Sequence, residues 1–274
     1  MSTRIELRDV GQVFHVRSEQ DRGLRAFVAL DGLNLTIEPG ELLAIVGPSG
    51  CGKSTVLDLV SGLTTPTTGQ VLADGRVVTD PGPDRSVVFQ QYTLLPWRTA
   101  LGNVELALEA VGGYSRRERS ARAREVLDLV GLGEFAARYP HELSGGMKQR
   151  VAIARSLSYQ PGVLLMDEPF GALDAQTRER LQEELVQIWR ATGTTIVFIT
   201  HDIEEAVFLG ERVAVMSSRP GRITSVIDID LTAAEPGQDV RSTVRFADYR
   251  HEIWSLLRGT SDRSVVASGV HRVA

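Results

Sequence analysis

The chain has 274 residues, 42% of them hydrophobic and 24% charged, with a formal net charge of −5 at pH 7. That supplies a core for one large domain, or a domain with a substantial subdomain, and argues against a dedicated nucleic-acid binder, which is usually basic. A single cysteine, Cys51, excludes an intramolecular disulfide framework and fits a reducing compartment.

The start, "MSTRIELRDV", lacks the apolar core of a signal peptide, and no apolar run approaches the ~18 residues that span a bilayer. The expectation is a chain soluble by itself that reaches a membrane only through a partner. "RIELRDV" and "LNLTIE" predict short strands flanking a polar loop, "HVRSEQDRG". "ELLAIV" has the continuous apolar character of a buried strand, and residues 53–62 predict the helix after it, closing near Gly62. "GQVLAD" and "RVVTD" around Gly75 predict a hairpin, and "SVVFQ" a strand. From about 91 to 160 the pattern turns helical, with charged faces such as "SRRERSARAREVLDLVGL". "GVLLMD" is again a short buried strand, and residues 175–192 form a helix with Leu181, Leu185, Ile188 and Trp189 on one face. "TTIVFIT" predicts another buried strand, with a helix from about 202. "RVAVMSS" and "RITSVIDID" predict two last strands, "TAAEPGQDV" a linker and "FADYRHEIWSLLR" a short amphipathic helix. Apolar strands alternating with helices give an α/β fold, a mostly parallel sheet covered on both faces, with the helical stretch inserted into it.

Four segments carry chemistry. In "GPSGCGKST", Gly47, Gly52, Lys53 and Ser54 meet the pattern G-x-x-x-x-G-K-[ST]. The glycines let the backbone bend tightly and point N–H groups at an anion in front of a helix N-terminus. In this pattern Lys53 reaches the β- and γ-phosphates of a nucleotide and the Ser54 hydroxyl ligates Mg2+. The pattern does not choose between kinase, GTPase and motor. "VLLMDEPF" ends a buried strand on Asp167, where a carboxylate needs a cation or donors. Asp167 is placed to hold Mg2+ through water, and Glu168 beside it to polarise an attacking water. "TIVFITHD" puts His201 at another strand end, facing the same phosphate site in such a sheet, where it would contact the γ-phosphate and report hydrolysis. "ELSGGMKQRVAIARSL" opens a helix at Ser144, Gly145 and Gly146, a second backbone anion site. Two such helix ends in one chain suggest a head-to-tail pair closing over nucleotide. Cys51, close to a helix N-terminus, is expected to have a lowered thiol pKa, so that thiol reagents inhibit and bound nucleotide protects.

Together these segments resemble the ATP-binding subunits of ABC transporters over about residues 4 to 225. "GPSGCGKST" is similar to the family's Walker A, "LSGGM" to its signature, "VLLMDE" to its Walker B, "GALD" to its D-loop and "THD" to its switch histidine; "VVFQQ" looks like the Q-loop, with Gln90 as its glutamine. The resemblance implies a P-loop NTPase of the ABC ATPase type over 1–225, with an N-terminal antiparallel β subdomain and a helical subdomain at about 91–160. Residues 226–274 follow as an extension without a readable motif: a regulatory tail, a dimer contact or a sheet cover. It implies two copies enclosing two ATP molecules. Gly47, Pro48, Ser49, Gly50, Cys51, Gly52, Lys53, Ser54 and Thr55 of one copy would hold each nucleotide. Ser144, Gly145, Gly146, Met147 and Asp174 of the other would reach it from across, Asp174 coupling the two sites. Mg2+ would fall to Ser54, Gln90 and Asp167, and catalysis to Glu168, His201 and Gln90. Phe14 sits where the family stacks an aromatic ring on adenine, with Phe27 as the rival candidate. Two features depart from the family pattern: Met147 stands where the signature usually ends in Gln, and the loop between Phe14 and Leu30 is longer than in compact relatives.

Within the family, "PGPDRSVVFQ", "YTLLPWRTALGNV" and the run from "DEPFGALDAQTRERLQEELVQIW" to "SSRPGRI" are similar to the importers of nitrate, sulfonate and taurine. Leu95, Pro96 and Trp97 make a stiff apolar element directly after Gln90, and the resemblance places the permease's cytoplasmic coupling helix there. The expectation is the ATPase subunit of an importer, held at the cytoplasmic face of the inner membrane by its permease. An extracytoplasmic solute-binding protein would supply the solute, and no nucleic acid is expected as partner. Bicarbonate or a vitamin precursor is the alternative cargo, and a soluble ABC ATPase without a transport role the alternative function.

Overall fold

In the computed structural model, which describes residues 2–17, 24–231 and 239–267, the chain folds as two compact units. The P-loop unit is built from Arg4–Glu38, Leu42–Pro81 and the chain from Phe198 onward; the helical unit from Gly82–Val197 with Pro39–Glu41 and the chain's start.

The P-loop unit begins with β1 (Ile5–Arg17) and β2 (Leu24–Ile37), followed by β3 (Leu42–Val46), α1 (Lys53–Ser61), β4 (Thr68–Ala73) and β5 (Arg76–Val77). β1, β2, β4 and β5 form an antiparallel sheet in the order β2-β1-β4-β5. The first two strands run longer than expected: His15, Val16 and Arg17 stay in β1 and pair with Ala26, Arg25 and Leu24. Their polarity reads as loop because this end of the hairpin is exposed on both strands.

In the helical unit, β6 (Arg85–Val88) pairs in parallel with β7 (Val163–Asp167), and α2 (Ala100–Val111), α3 (Arg116–Leu129) and α4 (Gly145–Leu157) pack on one another. The stretch after β6 is a loop up to Thr99 rather than helix. α5 (Ala175–Thr192) starts on the Asp174 cap, ends at Gly193 in the left-handed region and buries Leu181, Leu185 and Ile188. Trp189 donates its indole N–H to the Gly40 carbonyl at 2.8 Å. β8 (Thr195–Thr200) begins in this unit and ends in the other.

The P-loop unit is completed by α6 (Ile203–Leu209), β9 (Arg212–Met216), β10 (Ile223–Asp228) and α7 (Val244–Ala267). β3 and β9 are parallel, with β10 antiparallel on the far side of β9. The linker "TAAEPGQDV" lies mostly outside the described residues. The last helix is 24 residues long rather than short, and it is no loose tail. Phe246 and Ile253 are buried with Ala44, Val46, Ala206, Val207, Val213 and Val215, where α7 packs on α6 and β9. Phe246→Ala should therefore cost about 3–5 kcal/mol, read as a lower urea midpoint; a shift below about 1 kcal/mol would mean that α7 is not part of this core. No helix among the described residues is long and apolar enough to cross a membrane.

Candidate functional site

β3 is buried along its whole length and delivers the chain to Gly47. The loop then turns through Gly50 at φ +72° and Gly52 at φ +107°, and a backbone bond from Cys51 N–H to the Pro48 carbonyl (3.3 Å) closes it. Gly52 caps α1 without any side-chain hydrogen bond, so the helix opens with its first-turn N–H groups and positive end directed at the loop. Lys53 is buried, and its ammonium donates to the carbonyls of Gly47 (2.8 Å) and Pro48 (3.2 Å). Its charge is thus fixed inside the loop, while Ser49 and Ser54 are exposed and Pro48 and Thr55 half-buried.

Cys51 corrects an expectation. The pull of Lys53 and of the backbone N–H groups is present, but the side chain is buried, and burial outweighs both and pushes the thiol pKa up. Labelling by a thiol reagent should be slower than for a free cysteine, and should keep rising with pH beyond about 8.5, where a free thiol levels off. Labelling as fast as free cysteine at neutral pH would contradict that burial.

In the helical unit, β7 ends on Asp167, and Glu168 follows with φ +43°. The Gly171 N–H donates to the Glu168 carbonyl at 3.2 Å, which holds this turn. Gln90 is exposed just past β6, and a Cβ built on Gly171 would lie 3.7 Å from its amide nitrogen, so Gln90 borders the segment that carries Glu168. Asp174 accepts from the Thr177 N–H at 3.0 Å, and its contacts with Thr177 hold the carboxyl below the usual range. Ser144 caps α4 by accepting from the Met147 N–H (3.3 Å); Gly146 is buried, and Gly145 and Met147 are half-buried.

The segment after Gln90 is held by residues that pattern reading passed over. Asn103, on the first turn of α2 and fully buried, accepts from the Leu95 N–H (2.7 Å) and donates to the carbonyls of Leu95, Arg98 and Thr99. Arg155 of α4 donates to the Thr93 carbonyl and hydroxyl, both at 2.7 Å, and Thr93 sits at φ +48°, rare for a β-branched residue. The result presents Trp97 at 71% exposure, with Pro96 exposed and Leu95 half-buried. A buried-face asparagine early in an amphipathic helix is the one sequence signal that pointed to this knot.

His201 is exposed at the end of β8. On one side the buried Thr200 hydroxyl donates to the Glu205 carboxylate (2.6 Å) and accepts from the Asp202 N–H (2.9 Å). On the other side Asp202 caps α6. Phe14 and Phe27 are cross-strand partners, so both rings lie on one face of the hairpin. Phe27 is covered by the Arg219 guanidinium, 5.1 Å from the ring centre, and Phe14 is 37% exposed.

A model of the family described as ABC transporter matches residues 30–171, more than half of the chain. The chain belongs to the ABC transporter family. ABC proteins similar to it include the nitrate import ATP-binding protein NrtD of a Synechocystis strain, 50% identical over 96% of this chain and 99% of that one. Another is the taurine import ATP-binding protein TauB of Rhizobium johnstonii, 50% identical over 87% and 92%. Among solved ABC structures, the dimeric cassette MJ0796 in a post-hydrolysis state with ADP and phosphate superposes with a TM-score of 0.70. It is 37% identical, over 82% of this chain and 99% of that one.

Proposed function

We propose that this chain is the ATP-hydrolysing subunit of an ABC importer, two copies energising a separate membrane permease at the cytoplasmic face of the membrane. The observation that carries the import reading is the 50% identity to NrtD across nearly the whole of both chains. The P-loop, with its buried lysine and uncapped helix end, supports phosphate binding.

Ser54, Asp167 and Gln90 offer hydroxyl, carboxylate and amide oxygens, the hard donors that suit Mg2+. These few oxygens would share the ion with the nucleotide's phosphates. The ion would neutralise phosphate charge. Glu168 would orient and deprotonate the attacking water, with Gln90 beside it, and His201 would touch the γ-phosphate. Lys53 would bind the β- and γ-phosphates. Ser144, Gly145, Gly146, Met147 and Asp174 would reach the nucleotide held by a second copy. Phe14 would be the base platform, a choice supported by the Arg219 guanidinium lying over Phe27. ATP binding would close the pair, the Leu95–Trp97 loops would move the permease, and product release would reopen it.

The cargo class is nitrate or a sulfonate such as taurine, delivered by a solute-binding protein. Cells carrying chromosomal Lys53→Ala should lose uptake of labelled nitrate, taurine or an alkanesulfonate, because nucleotide no longer binds. Loss of bicarbonate uptake alone would move the cargo to the alternative class. Unchanged uptake of all four would remove the nitrate and sulfonate reading.

A further inference from the structure

The turn between β9 and β10 is bonded to β2 and packs closely against the P-loop. Gly221 donates its N–H to the Ala29 carbonyl (2.8 Å), and its own carbonyl accepts from the Asp31 N–H (3.1 Å). A Cβ added to Gly221 would lie 2.1 Å from the Cys51 carbonyl oxygen, so only glycine lets the turn come this close to the loop. Ser217 stiffens the turn from inside, donating to the Pro220 carbonyl and accepting from the Arg222 N–H, both at 3.0 Å. Arg222 pairs with Asp31 of β2.

Arg219 extends from this rigid platform. Its Nε–H donates to the Gly50 carbonyl at 2.7 Å, and its guanidinium lies over the Phe27 ring, opposite Phe14 in the hairpin register. A loop that binds phosphate through successive N–H groups must turn its carbonyls away from the anion. Gly50, already at φ +72°, has the backbone freedom to flip the following peptide and aim that carbonyl at the phosphates instead. A charged donor fixed outside the loop opposes the flip.

We propose that Arg219 is a positioning residue for nucleotide binding: it latches the Gly50 carbonyl outward, keeps the loop in its phosphate-binding form, and ties it to the aromatic face where the base would lie. This rests on the reading of the loop as the ATP site. The latch acts on the population of binding-competent loop, so its loss weakens affinity in proportion and leaves the chemical step alone.

The test compares full-length wild type, Arg219→Ala and Arg219→Lys. Arg219→Ala should bind a fluorescent ATP analogue about tenfold more weakly and raise the KM for ATP by about the same factor, with kcat within about twofold. Cys51, the only cysteine in the chain and buried within the latched loop, should label several-fold faster with a disulfide reagent. Arg219→Lys, which keeps a cationic donor within reach of the Gly50 carbonyl, should recover most of the affinity and the slow labelling. ATP affinity and Cys51 labelling both within about twofold of wild type in Arg219→Ala would overturn the latch. So would a fall in kcat as large as the loss of affinity. A wild-type protein that binds no ATP analogue would instead overturn the reading of the loop, and the two failures are thereby separated.

Discussion

Glu168→Gln should bind ATP as the parent protein does and release phosphate at least about a hundredfold more slowly, accumulating as an ATP-held pair of subunits. Glutamine keeps the shape and hydrogen-bonding reach of glutamate but cannot take a proton from water. The backbone supports this assignment independently of the motif. Glu168 stands at φ +43°, in the left-handed region that an L-residue with a long side chain enters at a cost of about 1–3 kcal/mol. Strain of that size survives when the surroundings over-determine the conformation, and here the buried strand β7 on one side and the Gly171-to-Glu168 turn on the other do so. Because the glutamine variant inherits the same backbone, folding should be unchanged and the loss confined to turnover. Steady-state phosphate release together with gel filtration in ATP measures both halves. Phosphate release near the parental rate would remove Glu168 from the chemistry.

What the sequence made legible was chemistry written in contiguous residues. Lys53, Asp167, Glu168 and the Ser144 cap follow from short patterns whose spacing sets the strand–loop–helix geometry, so their places in the fold could be stated in advance. The parts that escaped depend on partners far away in the chain. Arg155 meets Thr93 across 62 positions, and Arg219 meets Gly50 across 169. No local pattern encodes either contact. Thr200 and Glu205 looked like a strand end and a helix face, yet they are bonded to each other in a buried pair beside His201. Cys51 was misjudged for a related reason: proximity to a helix end is visible in sequence, whereas the burial that outweighs it is a tertiary quantity. The hairpin of β1 and β2 was shortened because exposure of both its strands mimics a loop. α7 runs beyond the expected "FADYRHEIWSLLR" because the residues from Gly259 to Ala267, starting "GTSDRS", carry no amphipathic pattern that announces a helix.

Trp97→Ala should leave ATP hydrolysis by the isolated subunit within about twofold and abolish stimulation by the permease, a loss of at least about 2 kcal/mol of coupling at one side chain. An indole at 71% exposure is a large apolar surface left to water, which an apolar partner laid over it would bury. The loop that presents it is stiffened rather than loose. Pro96 restricts the backbone beside it, Thr93 is clamped by Arg155, and the Asn103 amide ties Leu95, Arg98 and Thr99 together from below. A rigid aromatic anchor needs less ordering when the partner arrives, which is what a force-transmitting contact requires. Asn103→Ala separates the anchor from its support. It takes the side-chain partner from the Leu95 N–H and the Arg98 carbonyl, while the Leu95 and Thr99 carbonyls keep the backbone N–H groups of Arg98 and Asn103, and each group that stays buried and unpaired costs about 1–3 kcal/mol of stability. The tryptophan is present but no longer held. Permease-stimulated ATPase in proteoliposomes should therefore fall for both variants, whereas the melting temperature should fall only for Asn103→Ala. Full stimulation in Trp97→Ala would show that the permease docks elsewhere. Stimulation lost in Trp97→Ala but kept in Asn103→Ala would show that the side chain matters and the knot beneath it does not.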